Sequence, residues 1–201
     1  MHGRLPWLRP DQLDEPRRHV YEAIAGGPRA AGPQAFRLTD DDGRLEGPFN
    51  AMLVSPGVGM ALQDLGAAIR YRTALPDRAR EIAILTLAAL RRSDFEWYAH
   101  ERVGRRAGLT DDELAALLRG EEPTGLSEAE LAVLRTTTAL AGDGDLDDER
   151  FARAEAALGR EQLAELVVLV GYYDLLALSL RVWRTPLPAG ENSPFEKAVT
   201  R

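Results

Sequence analysis

The sequence predicts an all-α protein of about eight helices and no sheet. Three observations carry that expectation. Apolar residues recur at three- and four-residue spacings along most of the chain. Hydroxyl or acidic residues stand at the starts of those stretches, and three of the starts carry a Glu three positions on. Gly or Pro closes most of them. The best strand candidate, Leu166–Val170, lies inside a longer helical pattern.

The first helix is expected over 15–25, with Asp14 as N-cap, Pro16 in its first turn and Gly26-Gly27-Pro28 ending it. Residues 26–47 then form one long irregular stretch with five Gly and the acidic run Asp40-Asp41-Asp42. A loop of that length reads either as a lid or subunit clasp or as a solvated connector. Ser55-Pro56 opens a helix to about residue 73, and Leu75-Pro76 opens another to about residue 91. Ser93 with Glu96, Thr110 with Glu113 and Ser127 with Glu130 are capping-box pairs, which place helices at 94–107, 111–119 and 128–141. Two more follow at 147–158 and 160–183, separated by Gly159. The apolar run Leu163–Leu180 is broken by Glu165, Gly171 and Asp174, so it reads as a core helix that also makes a subunit contact, not as a membrane span. The tail beyond Pro188 is polar and expected to be loosely held.

Composition narrows the function classes. The chain has 201 residues, no Cys and a formal net charge of −7. Without Cys there is no thiolate metal site, Fe–S cluster, disulfide or cysteine nucleophile, and a reducing cytoplasmic location is expected. The 25 basic residues are interleaved with 32 acidic ones and make no nucleic-acid-binding face. His2 is terminal and expected to be disordered; His19 is expected at the surface of the first helix. His100 differs, because Glu96 lies four residues before it on the same helix face and Trp97 and Tyr98 flank the pair. A carboxyl and an imidazole beside aromatic rings can do general acid–base work near neutral pH. The alternative stands beside it: Glu96 as merely the third residue of a capping box, with His100 a partly buried histidine paired to it. Glu-x-x-x-His supplies only two metal ligands and no second cluster exists, so no metal is expected.

The order of pieces resembles the carboxymuconolactone decarboxylase family, within the alkylhydroperoxidase D-like superfamily. The pieces are Gly47-Pro48-Phe49-Asn50-Ala51-Met52-Leu53, Leu75-Pro76 with Arg80-Glu81-Ile82, Glu96-Trp97-Tyr98-Ala99-His100-Glu101, Arg106-Ala107-Gly108-Leu109, and Glu165 through Gly171-Tyr172-Tyr173-Asp174. The resemblance covers about residues 13–188. It implies an alkylhydroperoxidase D-like helical bundle over 48–188, preceded by a helix and long loop over 1–47 and followed by a polar tail over 189–201. It also implies a homo-oligomer, a trimer or hexamer, with no membrane or nucleic-acid partner. In the peroxidase branch a Cys-x-x-Cys-x-x-x-His motif does the chemistry; the matching residues here are Ser93, Glu96 and His100, so the dithiol cycle is excluded. The upstream glutamate of that branch matches Glu81. The decarboxylase branch implies cofactor-free proton chemistry on a small carboxylated or lactone-type molecule, with His100, Glu96 and Glu81 catalytic. Trp97, Phe49 and Tyr172 would wall the substrate, Asn50 would donate to a carbonyl, and Arg80 would pair with a substrate carboxylate or with Asp77 or Glu81. Isomerisation, ring opening or cyclisation by the same groups, and a non-catalytic oligomer on this frame, are the alternatives.

Overall fold

The computed structural model describes residues 1–31 and 34–196. These form α1 (Glu15–Ala25), α2 (Pro48–Met52), α3 (Pro56–Tyr71), α4 (Asp77–Arg91), α5 (Asp94–Arg106), α6 (Asp111–Arg119), α7 (Glu128–Asp143) and α8 (Asp148–Trp183), with short 3-10 turns at Pro10–Gln12 and Pro28–Ala30. No strand occurs among the described residues, only isolated bridges between His2 and Leu5 and between Thr39 and Leu45. The all-α expectation is met. The two helices expected on either side of Gly159 abut as α8, whose backbone leaves helical geometry only there, at φ 72° and ψ 166°. The one helix the sequence did not announce is α2, a single turn begun by Pro48.

The chain falls into two compact units, Met1–Arg72 with Leu178–Asn192, and Thr73–Ala177 with the segment from Ser193 onward. In the first, α1 and α2 both pack on α3. Asp14 caps α1 by accepting from the Arg17 amide, as its sequence position predicts. Gly59 lets α3 meet α2 closely, since a Cβ there would sit 1.9 Å from the Met52 carbonyl oxygen. Within the long irregular stretch, Asp40 accepts from the amides of Asp42 and Arg44 and pairs with the Arg44 guanidinium, and Leu45 is fully buried. That part is anchored. His2 corrects an expectation: it is 1% exposed, stacked at 4.7 Å on Trp7, because the His2–Leu5 bridge turns the chain start back on itself.

The second unit is built around α4, which packs on α5, α6 and α7. The apolar spacing of α4 predicts one buried face. With neighbours on several sides, every residue from Ala79 to Ala88 is buried. Its Ile and Leu side chains each contribute roughly 1.5–3 kcal/mol by leaving water, so the helix tolerates two charged residues, Arg80 and Glu81, within the same buried run. Arg78, at its outer end, donates to Glu113 and Glu130, the capping glutamates of α6 and α7. Glu165 of α8 accepts from the amides of Ala74 and Leu75 and fixes the entry to α4. An 18-residue window of α8 has mean hydropathy 1.8 and is half buried, leaving Val167, Val168 and Leu175 exposed along one side. The described tail also departs from expectation. Ser193 donates to Asp94, Arg92 donates to the Phe195 carbonyl, and the Phe195 ring meets Trp97 edge-on at 6.0 Å, so the segment is fastened over the start of α5.

Candidate active site

Two elements carry the titratable groups. α4 brings Glu81, fully buried, to the middle of the second unit. α5 brings Glu96 and His100, 3% and 7% exposed, one helical turn apart. The His100 Nδ1 lies 2.7 Å from Glu81 Oε2. The carboxylate that holds the imidazole is therefore Glu81, from the neighbouring helix, and not Glu96 from its own. This pairing holds the ring through Nδ1, so Nε2 is the ring nitrogen that does not face Glu81. The Tyr173 ring stands edge-on to His100 at 5.1 Å, and Tyr172 stands edge-on to Tyr173 at 5.4 Å.

Glu96 does not do what its spacing predicts. The start of α5 forms no capping box: the Ser93 side chain makes no cap hydrogen bond, and both Glu96 oxygens are buried without a hydrogen-bond partner. The physical consequence is electrostatic. Burial pushes the Glu96 carboxyl up from its ordinary 4.5 to about 8; the nearby Ser93 hydroxyl opposes this in part, and Asp174 adds to it. Near pH 7 the group is mostly a neutral acid. A carboxylic acid kept protonated in a dry place can donate a proton or a hydrogen bond where charge develops.

The remaining expected residues sort as follows. Trp97 is buried beside Glu96, under Phe195. Arg80 takes the structural option left open for it, with a 2.5 Å bond to Asp77 and its Nε 4.0 Å from Glu81 Oε1. Phe49 and Asn50 belong to the first unit. Phe49 lies under the Arg29 guanidinium, and the Asn50 amide donates to the Pro6 carbonyl at 2.9 Å. Sequence reasoning missed Tyr173, the ring that touches His100; Tyr172 and Tyr173 are adjacent, both are buried, and nothing in their spacing tells which faces the histidine. It also missed Phe195, in a segment without periodicity. Among the described residues no three His, Cys, Asp or Glu side chains gather as a metal ion would require.

Residues 56–139, which hold Glu81, Glu96 and His100, match the carboxymuconolactone decarboxylase family. Over those residues the chain is similar to that family, and it carries no Cys. An uncharacterized peroxidase-related protein from Ralstonia eutropha, with the alkylhydroperoxidase AhpD core, superposes with a TM-score of 0.74 at 12% identity over 92% of both chains. The debrominase Bmp8, solved in complex with 2,3,4-tribromopyrrole, gives 0.71 at 15% identity over 92% of this chain and 91% of its own. A protein of unknown function from Agrobacterium tumefaciens gives 0.63 at 19% identity over 69% of this chain and 96% of its own. At these identities the likeness shows the shared helical fold. No curated protein sequence matches the chain.

Proposed function

We propose that this protein is a cofactor-free acid–base enzyme, a decarboxylase-like lyase acting on a small carboxylated or lactone-type molecule. One observation supports it above the rest: Glu96 keeps both oxygens dry and unpartnered, one turn from an imidazole oriented by a second buried carboxylate. A frame that only held subunits together would gain stability by capping α5 or by an apolar residue at that position. Groups that cost stability in this way are characteristic of sites under a chemical demand.

The chemistry these groups can serve balances without a cofactor. The bond from carbon to the departing carboxylate breaks and carbon dioxide leaves. Its electron pair moves through the unsaturated system onto the lactone carbonyl, giving an enolate. Neutral Glu96 stabilises the oxygen on which that charge collects, and protonated His100 delivers a proton from Nε2 to carbon, so one proton is consumed per turnover. Glu81 holds Nδ1 and stabilises the imidazolium before transfer. Trp97 and the Tyr172–Tyr173 pair provide apolar walls that strengthen these interactions by excluding water. Isomerisation would use the same groups without releasing carbon dioxide.

The test is to incubate the protein with a carboxymuconolactone and measure carbon dioxide release beside the loss of substrate absorbance. Release by the parent protein, and its loss in folded His100→Gln, supports the reading. Double-bond movement without carbon dioxide moves the assignment to isomerisation, and no turnover of either kind by the folded protein overturns it. We also propose, from the exposed Val167, Val168 and Leu175 on α8, that the protein is a homo-oligomer, a trimer or hexamer, in solution. Light scattering that finds a monomer at micromolar concentration rejects this.

A further inference from the structure

The arginines of this chain mostly meet carboxylates: Arg44 meets Asp40, Arg78 meets Glu113 and Glu130, Arg91 meets Asp174, and Arg105 meets Glu101 and Asp111. Arg29, in the first unit, does not. Its Nε donates to the side-chain oxygen of Gln63 at 3.0 Å, and its guanidinium carbon lies 5.4 Å from the centre of the Phe49 ring. Both partners are neutral, and both are buried. One terminal nitrogen, Nη2, is itself buried and has no hydrogen-bond partner. A desolvated donor on a full positive charge is costly unless an acceptor meets it. Gln63 and Phe49 together hold the side chain in one orientation: Gln63 occupies the Nε side, the ring supports the face, and Nη2 is the donor without an acceptor.

We propose that Arg29 is the anchor of a binding site for a small organic carboxylate. The two parallel N–H bonds of the Nη1–Nη2 edge match the two oxygens of a carboxylate. The dry setting, with buried neutral partners in Gln63 and Phe49, favours a weakly hydrated organic anion over a strongly hydrated inorganic one. The inference goes beyond the acid–base reading and does not depend on which reaction His100 serves.

Benzoate is the probe, with neutral benzamide and inorganic phosphate as controls, titrated into the full chain while the Arg29 side-chain Nε resonance is followed by NMR. Turnover is not read, so failure of the decarboxylase assay and failure of this inference are separate results. Benzoate is expected to move the Arg29 signal saturably with a Kd near or below about 1 mM, while benzamide and phosphate leave it in place. Arg29→Gln is expected to weaken benzoate binding, followed by calorimetry, about 10- to 100-fold. Arg29→Lys, which keeps charge and loses the planar fork, should fall between. Because Nη2 is unpartnered, Arg29→Gln should melt at or above the parent temperature. Absence of a saturable shift, equal affinity in Arg29→Gln and Arg29→Lys, or phosphate binding as tightly as benzoate overturns the proposal. So does a lower melting temperature in both variants, which would mark Arg29 as a packing residue.

Discussion

Three helices of the second unit open with the same signature, a hydroxyl residue followed three positions later by Glu, and they use it in two ways. At α6 and α7 the box closes: Thr110 accepts from the Glu113 amide, Ser127 accepts from the Glu130 amide, and each glutamate reaches back to its cap residue. Arg78 then joins both glutamates. Burial works to raise both carboxyls, but these hydrogen bonds outweigh it and hold them below the ordinary range. At α5 the same letters give an open box, no arginine, and a carboxyl raised to about 8. The local code is identical, so the difference is one of surroundings. Glu113 and Glu130 stand where Arg78 reaches them, whereas Glu96 is buried with no cation bonded to it. A capping motif specifies where a helix starts; tertiary packing decides whether its carboxylate serves the backbone.

The comparison can be broken first at the chemistry. His100→Gln, which cannot titrate, should lower turnover of the true substrate about 10²–10⁴-fold with little change in melting temperature, and Glu81→Gln should act in the same direction by releasing Nδ1. Glu96→Gln should lower turnover about 10²-fold or more. Substitution at Thr110 or Ser127 should leave turnover unchanged. Turnover assays beside thermal melts of each variant check the split; normal turnover in folded His100→Gln would remove it.

The second test is the sign of the pH dependence. For Glu113 and Glu130 the folded state lowers the pKa, so their stabilising contribution is present above about pH 4.5 and is lost as the pH falls through the lowered folded values. Glu96 runs the other way. The folded protein holds a proton that the unfolded chain releases above 4.5, so its contribution is present below 4.5 and is lost as the pH rises towards 8, by at most about 1.4 kcal/mol per pH unit. Denaturant unfolding at pH 5 and pH 8 should show Glu96→Gln gaining on the parent protein as the pH rises. A parallel pair of profiles would mean that Glu96 is ionised in the fold.

Smaller effects sharpen the comparison. Arg78→Met should cost about 1–3 kcal/mol, because two glutamates lose a charged donor together. Thr110→Ala and Ser127→Ala should each cost about 1 kcal/mol. Ser93→Ala, where no cap bond exists to lose, should cost a few tenths at most. Chemical denaturation of the four variants ranks them, and equal losses at Ser93 and Thr110 would show that the α5 box closes in solution.

Periodicity and caps sufficed for the helix order, for most boundaries to within a residue or two, and for the division at Gly159. The irregular parts were harder because their order comes from distant contacts. His2 is buried by a turn it makes with Leu5, and Ser193 and Phe195 are held by α5, partners that no local pattern names. The candidate groups were legible as residues: Glu81, Glu96 and His100 all lie in the second unit. Their wiring was not. An i, i+4 spacing places Glu96 and His100 on one face, but only the packing of α4 on α5 brings Glu81 to the ring and leaves Glu96 alone.

The complete burial of α4 has a further consequence, in time rather than in space. Amides exchange with solvent when the segment holding them opens, and the segments with the most buried contacts open last. The amides of Ile82 to Leu87 should therefore exchange only with global unfolding, while those of Ser193–Phe195 exchange through small local openings. Glu81 rides on the slowest segment of its unit. Excursions that loosen the tail over Trp97 can wet the start of α5 many times over while the carboxylate that orients His100 stays in place and dry.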